Sequence, residues 1–207
     1  MAVKIEVRVL LNISSFPWAE CAITENRSLY ISDSLSLKRT KRSTGNHRYE
    51  FELVTNEMPI KQGRSVVAQI SRATNDTLTF IHPVLSYSVG TEPASGLRIW
   101  SDQYSGDADI PLQSINGTDQ WQLFAGDYIQ FDNDTKVYQV AEDTELSSSL
   151  KIVKLTCPIR YDLSPSSNTA IMNDIEWHLE SSGAIETTMV ASEGQDIQFT
   201  LVAVEKL

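Results

Sequence analysis

Two stretches near opposite ends of this chain share one rhythm. In "NHRYEFELVT", His47, Tyr49, Phe51 and Leu53 alternate with Arg48, Glu50 and Glu52; in "DIQFTLVAVEKL", Ile197, Phe199, Leu201 and Ala203 alternate with Gln198, Thr200 and Val202. Successive side chains of a strand point to opposite faces, so a period of two marks a strand with one buried face. "VKIEVRVLL" repeats the pattern with Val3, Ile5, Val7, Val9 and Leu11, and "SLYISDSLSLKRT" does so with Leu29, Ile31, Leu35 and Leu37. Gly45-Asn46 supplies turn chemistry ahead of His47, which predicts an antiparallel pair. Matching strands at both ends predict one β-sandwich built from both termini of the chain.

One segment has a different period. In "MPIKQGRSVVAQISRA", Val66, Val67 and Ile70 fall at helical spacing, Thr55 or Asn56 can cap, and Pro59 suits a first helical position. This predicts a short helix over 58–73. Gly63 opposes it by about 1 kcal/mol relative to Ala. "LTFIHPVLSY" then reads as a strand with Pro83 towards its end or edge.

From Gly90 the texture changes to short strands near 97–100, 110–115, 127–131, 135–141 and 150–156, separated by turns such as Asn116-Gly117. Five short strands predict a small OB-like barrel. After "CPIRYDLSPSSNTA" the longer strands resume in "IMNDIEWHLE", "IETTMVA" and "DIQFTLVAVEKL". The expected fold is therefore mainly β: a sandwich domain with a short helix over 1–85 and 165–207, and an inserted OB-like β domain over 86–164.

Charge divides the chain. Residues 1–72 carry eleven basic and seven acidic side chains, net +4; residues 73–207 carry six and twenty, net −14, which sums to the overall −10. The amino-terminal apolar run is broken by Lys4, Glu6 and Arg8, unlike a secretory leader, and no apolar run approaches the roughly 18 residues of a membrane span. Synthesis and folding in the cytoplasm are expected. Asn-x-Ser/Thr triplets at Asn12, Asn26, Asn75, Asn116 and Asn133 then read as turn composition rather than glycosylation acceptors.

Motifs for chemistry are sparse. Cys21 and Cys157 have no metal-ligand spacing and read as two thiols, with an incidental bridge or a reactive site as alternatives. His47, His82 and His178 show no HExxH or HxH, no GxSxG context occurs, and no GxxxxGK[ST] loop is present. A dispersed Ser-His-Asp triad, and with it a hydrolase, stays open because triad members can come from anywhere in a chain. Asp132 and Asp134 suggest a calcium loop until Lys136 occupies a ligand position. Those acids, with Asp107, Asp109, Glu142, Asp143 and Glu145, read as solvated hairpin tips. Trp100, Tyr104, Trp121, Tyr128 and Tyr138 could stack bases or sugars, but residues 91–156 hold only four basic side chains, and core packing explains most of the rings.

The most basic passage holds Lys38, Arg39, Lys41, Arg42 and Arg48. Three readings stand: a nucleic-acid grip, a charged edge that discourages strand addition, or a positive face that meets a negative face of another copy.

The order of these pieces resembles the distal tail protein (Dit) family of tailed bacteriophages, in the siphophage type with an OB-like domain inserted into a β-sandwich. The resemblance rests on "SVVAQISRA" followed by "TND" and "TLTFIHP", on "AGDYIQFDNDTKVYQVAE" in the inserted domain, and on the return of long strands at the carboxy terminus. It implies a structural, non-enzymatic role without cofactor or metal, as a ring, usually a hexamer, at the virion tail tip. Its implied partners are further copies of itself, the tail tube protein, the baseplate hub and the fibre or receptor-binding proteins. DNA would pass through the lumen unbound, and no membrane is involved. The basic residues Lys38, Arg39, Lys41, Arg42 and Arg48 would then belong to the contact between subunits. A tube terminator or adaptor, or an oligonucleotide- or carbohydrate-binding module using the inserted barrel, is the alternative.

Overall fold

The computed structural model describes residues 11–33, 39–72, 77–145, 149–181, 190–191 and 196–206; for 28–33, 39–46, 181, 190 and 191 it describes the backbone. The expected strand over 3–11 lies almost wholly outside these residues, as do Leu35, Leu37, Lys38 and most of "IETTMVA". The fold is mainly β, a sandwich with one helix plus a small barrel. In chain order the elements are β1 (Leu11–Asn12), β2 (Trp18–Asp33), β3 (Arg39–Thr55), β4 (Met58–Pro59), α1 (Ile60–Arg72), β5 (Leu78–Phe80), β6 (Leu97–Ile99), β7 (Asp109–Ser114), β8 (Tyr128–Phe131), β9 (Val137–Gln139), β10 (Leu150–Lys154), β11 (Thr169–Ile171), β12 (Trp177–Ser181), β13 (Val190–Ala191), β14 (Asp196–Gln198) and β15 (Thr200–Glu205). The chain forms two compact units: Met1–Arg27, His47–Phe80 and His178–Leu207 in the first, Ser28–Asn46 and Ile81–Trp177 in the second.

The first unit is the sandwich. Its larger sheet runs β1-β5-β12-β15-β3-β2, and a smaller one runs β13-β14-β4. The two alternating stretches that open the sequence reading pair with each other, Leu201 opposite Leu53 and Ala203 opposite Phe51, and their apolar positions are fully buried. Only Phe199 separates β14 from β15, so one passage of chain serves both sheets. Thr55 holds that corner: its N–H donates to Phe199 O at 3.0 Å and its Oγ1 accepts from Phe199 N–H at 3.1 Å. Trp18 packs edge-on against Phe80 and Phe199, and Phe51 against Phe80, the offset geometry aromatic rings prefer.

The helix buries Gly63, Val66 and Ile70. Gly63 is there for contact: a Cβ on it would stand 2.2 Å from Ile197 Cδ1. Pro59 corrects the expected helix start. It lies in β4 opposite Asp196, at the edge of the small sheet, where a residue without an N–H leaves no ladder bond unmade, and α1 begins one residue later.

The second unit contains the barrel. Its six antiparallel strands run β10-β7-β6-β11-β8-β9, one strand more than an OB fold. The outer strands meet: Val140 bridges Leu155, with Ala141 N–H donating to Lys154 O at 2.8 Å and Thr156 N–H to Gln139 O at 2.9 Å. Trp121, Leu123, Ile129, Tyr138 and Val153 are among the fully buried side chains that fill the interior.

The structure moves the expected domain boundary. Residues 165–177 belong to the second unit, because β11 pairs with both β6 and β8. "IMNDIEWHLE" is thus two strands rather than one, broken near Asp174, whose φ of 55° is left-handed. "LTFIHPVLSY" is a strand only through Phe80. Beyond it the His82 ring caps a turn: Nδ1 accepts from Val84 N–H at 3.0 Å and Leu85 N–H at 2.9 Å.

Candidate functional site

The basic stretch lies on the longest strands of the molecule. β2 has 16 residues and β3 has 17, against six in β15, the neighbour of β3. At roughly 3.4 Å per residue β3 extends about 58 Å and β15 about 20 Å. The ladder with β15 engages Glu50 to Val54, and the strand continues towards Arg39 beyond it. On β2, Thr24, Glu25, Asn26 and Arg27 are exposed at successive positions, so both faces meet solvent and the pair has left the sandwich core. Arg39, Lys41 and Arg42 stand on this far part of β3; Lys38 lies outside the described residues.

Arg48 has a different job. Its Nε donates to Glu205 O at 2.7 Å and its Nη2 to the Glu180 carboxylate, which ties β3 to β15 and β12 within one sheet. Two positions on, the strand is already over the core. His47 is buried, stacks edge-on against Tyr49 at 4.6 Å and bonds Glu25 across the ribbon. Glu25 also takes Arg27 at 2.5 Å. Partial burial pushes the Glu25 carboxyl up, but the hydrogen bonds from Arg27 and His47 together hold it below the usual range.

The carboxylates read as hairpin tips prove to be internal fasteners. Asp134 is buried; it accepts the Tyr138 hydroxyl at 2.7 Å and the Arg160 guanidinium. Burial, then the Asp134 charge, pushes the Tyr138 phenol up. Asp132 accepts from Asn168 Nδ2 at 3.1 Å and Thr169 Oγ1 at 3.0 Å, which seats β11 beside the barrel. Sequence reasoning missed Asp127 altogether. Its carboxylate accepts Ser88 Oγ at 2.8 Å and the N–H groups of Val89 and Phe124, both at 2.9 Å, clamping the entering chain to the turn before β8. That turn is "AGD", where Gly126 has φ +99° and Ala125 N–H donates to Asp143 at 2.7 Å. The signal was present: an Asp directly after a Gly at a strand start is what such a cap requires.

These groups are structural in geometry. Among the described residues no cluster of His, Cys, Asp and Glu has the makings of a metal site, and no helix is long and apolar enough to cross a membrane. Both cysteines are thiols; Cys157 is buried in the barrel, and burial pushes Cys21 up to about 11, far from a reactive thiolate. Burial also lowers His82, whose Nδ1 lone pair already serves two N–H groups. Lys151 Nζ donates to Trp121 O and lies 4.5 Å from the Trp121 ring centroid, and desolvation lowers its basicity. Trp121, Tyr128 and Tyr138 are core rings, whereas Trp100 is 47% and Tyr104 66% exposed. Compared with known proteins, the sequence matches no family model and no curated protein.

Proposed function

We propose that this chain is a structural component of a bacteriophage tail tip, forming a ring that joins the tail tube to the baseplate hub and the receptor-binding apparatus. The observation that carries the reading is the β2–β3 pair, which outruns its sheet and holds Arg39, Lys41 and Arg42 on its far part. A two-stranded ribbon on its own is marginal in water, so a long one that leaves its sheet calls for a neighbour. In a ring each subunit presents one surface to a different surface of the next, and unlike charges there set register and speed encounter. The chain supplies both signs, +4 over 1–72 and −14 over the rest. Residues that hold backbone in place, rather than a pocket of convergent reactive groups, suit such a scaffold. In this reading Arg48 braces the sheet and does not face the neighbour.

The test replaces Arg39, Lys41 and Arg42 together with Glu. Mass photometry of the purified wild type is expected to give one discrete oligomer, and the triple variant is expected to lose it. Equal oligomer in both proteins removes the basic ribbon from the contact.

A further inference from the structure

The barrel carries an apolar row on its outer face. Trp100 N–H donates to Pro111 O at 2.9 Å, and Pro111 stands opposite Ile152, so the three residues lie side by side across neighbouring strands. Their sequence neighbours Ile99, Ile110, Leu112 and Val153 are buried, which turns Trp100, Pro111 and Ile152 outward. Trp100 is 47% exposed, Ile152 64%, and Leu150 joins them on β10 at 38%. No internal contact requires an isoleucine at a position two-thirds exposed. The row is flanked by Arg98, which bonds Gln113 at 3.0 Å, and by Lys154. An aromatic anchor among aliphatic side chains with a charged rim is the anatomy of a protein contact.

We infer that this row is the docking face for a second copy of the chain, and that the part of that copy which docks is its basic ribbon. Charge selects the occupant. Residues 81–177 carry five basic and fourteen acidic side chains, net −9, whereas residues 28–46 carry four basic and one acidic, net +3. A nucleic acid has the wrong sign for this unit, and Ile152 and Leu150 give a sugar ring nothing to stack on. The ribbon has the right sign, and its β2 part contains Leu29, Tyr30 and Ile31 to meet an apolar row. Ribbon to barrel is a contact between unlike surfaces, so it repeats from copy to copy and can close a ring. The inference rests on the ring reading and gives it a second surface.

Two variants that each lack one surface test it. Trp100→Ser with Ile152→Thr removes the row; Arg39→Glu, Lys41→Glu and Arg42→Glu reverse the ribbon. Native mass spectrometry is expected to find each variant monomeric alone, with assembly weakened at least about tenfold. An equimolar mixture is expected to form a one-to-one dimer and stop there, because one ribbon and one row remain compatible. Ile152→Arg alone, at an exposed position, guards against a folding defect and is expected to behave like the double variant. If the wild type forms rings while the row variants do so equally well, or if the mixture stays monomeric, the docking face is overturned and the ring stands. If the wild type forms no oligomer at any concentration, the ring reading falls and this inference falls with it.

Discussion

The two units satisfy their strand edges in different ways. In the barrel β9 and β10 meet, every strand has two neighbours, and the entering chain is clamped by Asp127. In the sandwich the larger sheet ends at β2, an edge strand of 16 residues whose exposed stretch carries Glu25 and Arg27. A closed unit needs nothing more for its backbone. An open edge is either guarded by charge or used for pairing, and here the guard and the proposed contact are the same residues. Closure thus gives the barrel its stability from internal polar fasteners, while the sandwich has an element whose purpose lies outside its own core.

The contrast is broken most severely at Asp127. Asp127→Ala strands three donors that now share one buried carboxylate, and a loss of about 3 kcal/mol in unfolding free energy is expected. Chemical denaturation followed by the fluorescence of buried Trp121 and Trp177 measures it. An unchanged midpoint would mean that closure does not depend on the clamp.

A smaller effect is expected at Gly63, where the sandwich relies on shape. Gly63→Ala gains about 1 kcal/mol of helix propensity but drives a methyl into Ile197, for a net loss of about 1–2 kcal/mol. Adding Ile197→Ala opens the space, so the double variant is expected to cost less than the sum of the singles. Additive losses would place the cost of the Gly63 substitution somewhere other than that contact.

The smallest effect is set by pH. Because burial lowers the folded-state pKa of His82 below 6.5, the unfolded chain takes up the proton first as pH falls. The stability from neutral His82 is complete above about pH 6.5 and is lost progressively below it. His82→Asn keeps a side-chain acceptor for the Val84 and Leu85 N–H groups without titrating. Melting temperatures at pH 7.5 and 5.5 should differ less in the variant than in the wild type. An equal difference would remove His82 as the cause.

How far the sequence foretold this molecule follows the same division. The barrel strands were legible because each is local, with alternation inside it and turns such as Asn116-Gly117 between. β11 was not: three residues in a polar stretch form a strand only because β6 and β8, more than 35 residues away, lie on either side. The sandwich pairing of Phe51 with Ala203 was legible from matched rhythm at distant positions. The turn after Phe80 was hidden because its cap is a histidine ring, which carries no turn propensity of its own. Among the basic residues, charge alone grouped Arg48 with Arg39, Lys41 and Arg42. Only the register shows that Arg48 lies where β15 and β12 reach it. The outward turn of Trp100 was equally invisible, since an aromatic ring in a strand looks the same in sequence on either face.

The contrast between a closed barrel and an open, charged ribbon leads to one decisive observation, negative-stain imaging of the purified wild-type protein. Uniform rings with a central hole of tail-tube width are the expected result. Isolated monomers at every concentration, or open filaments without closure, would contradict it.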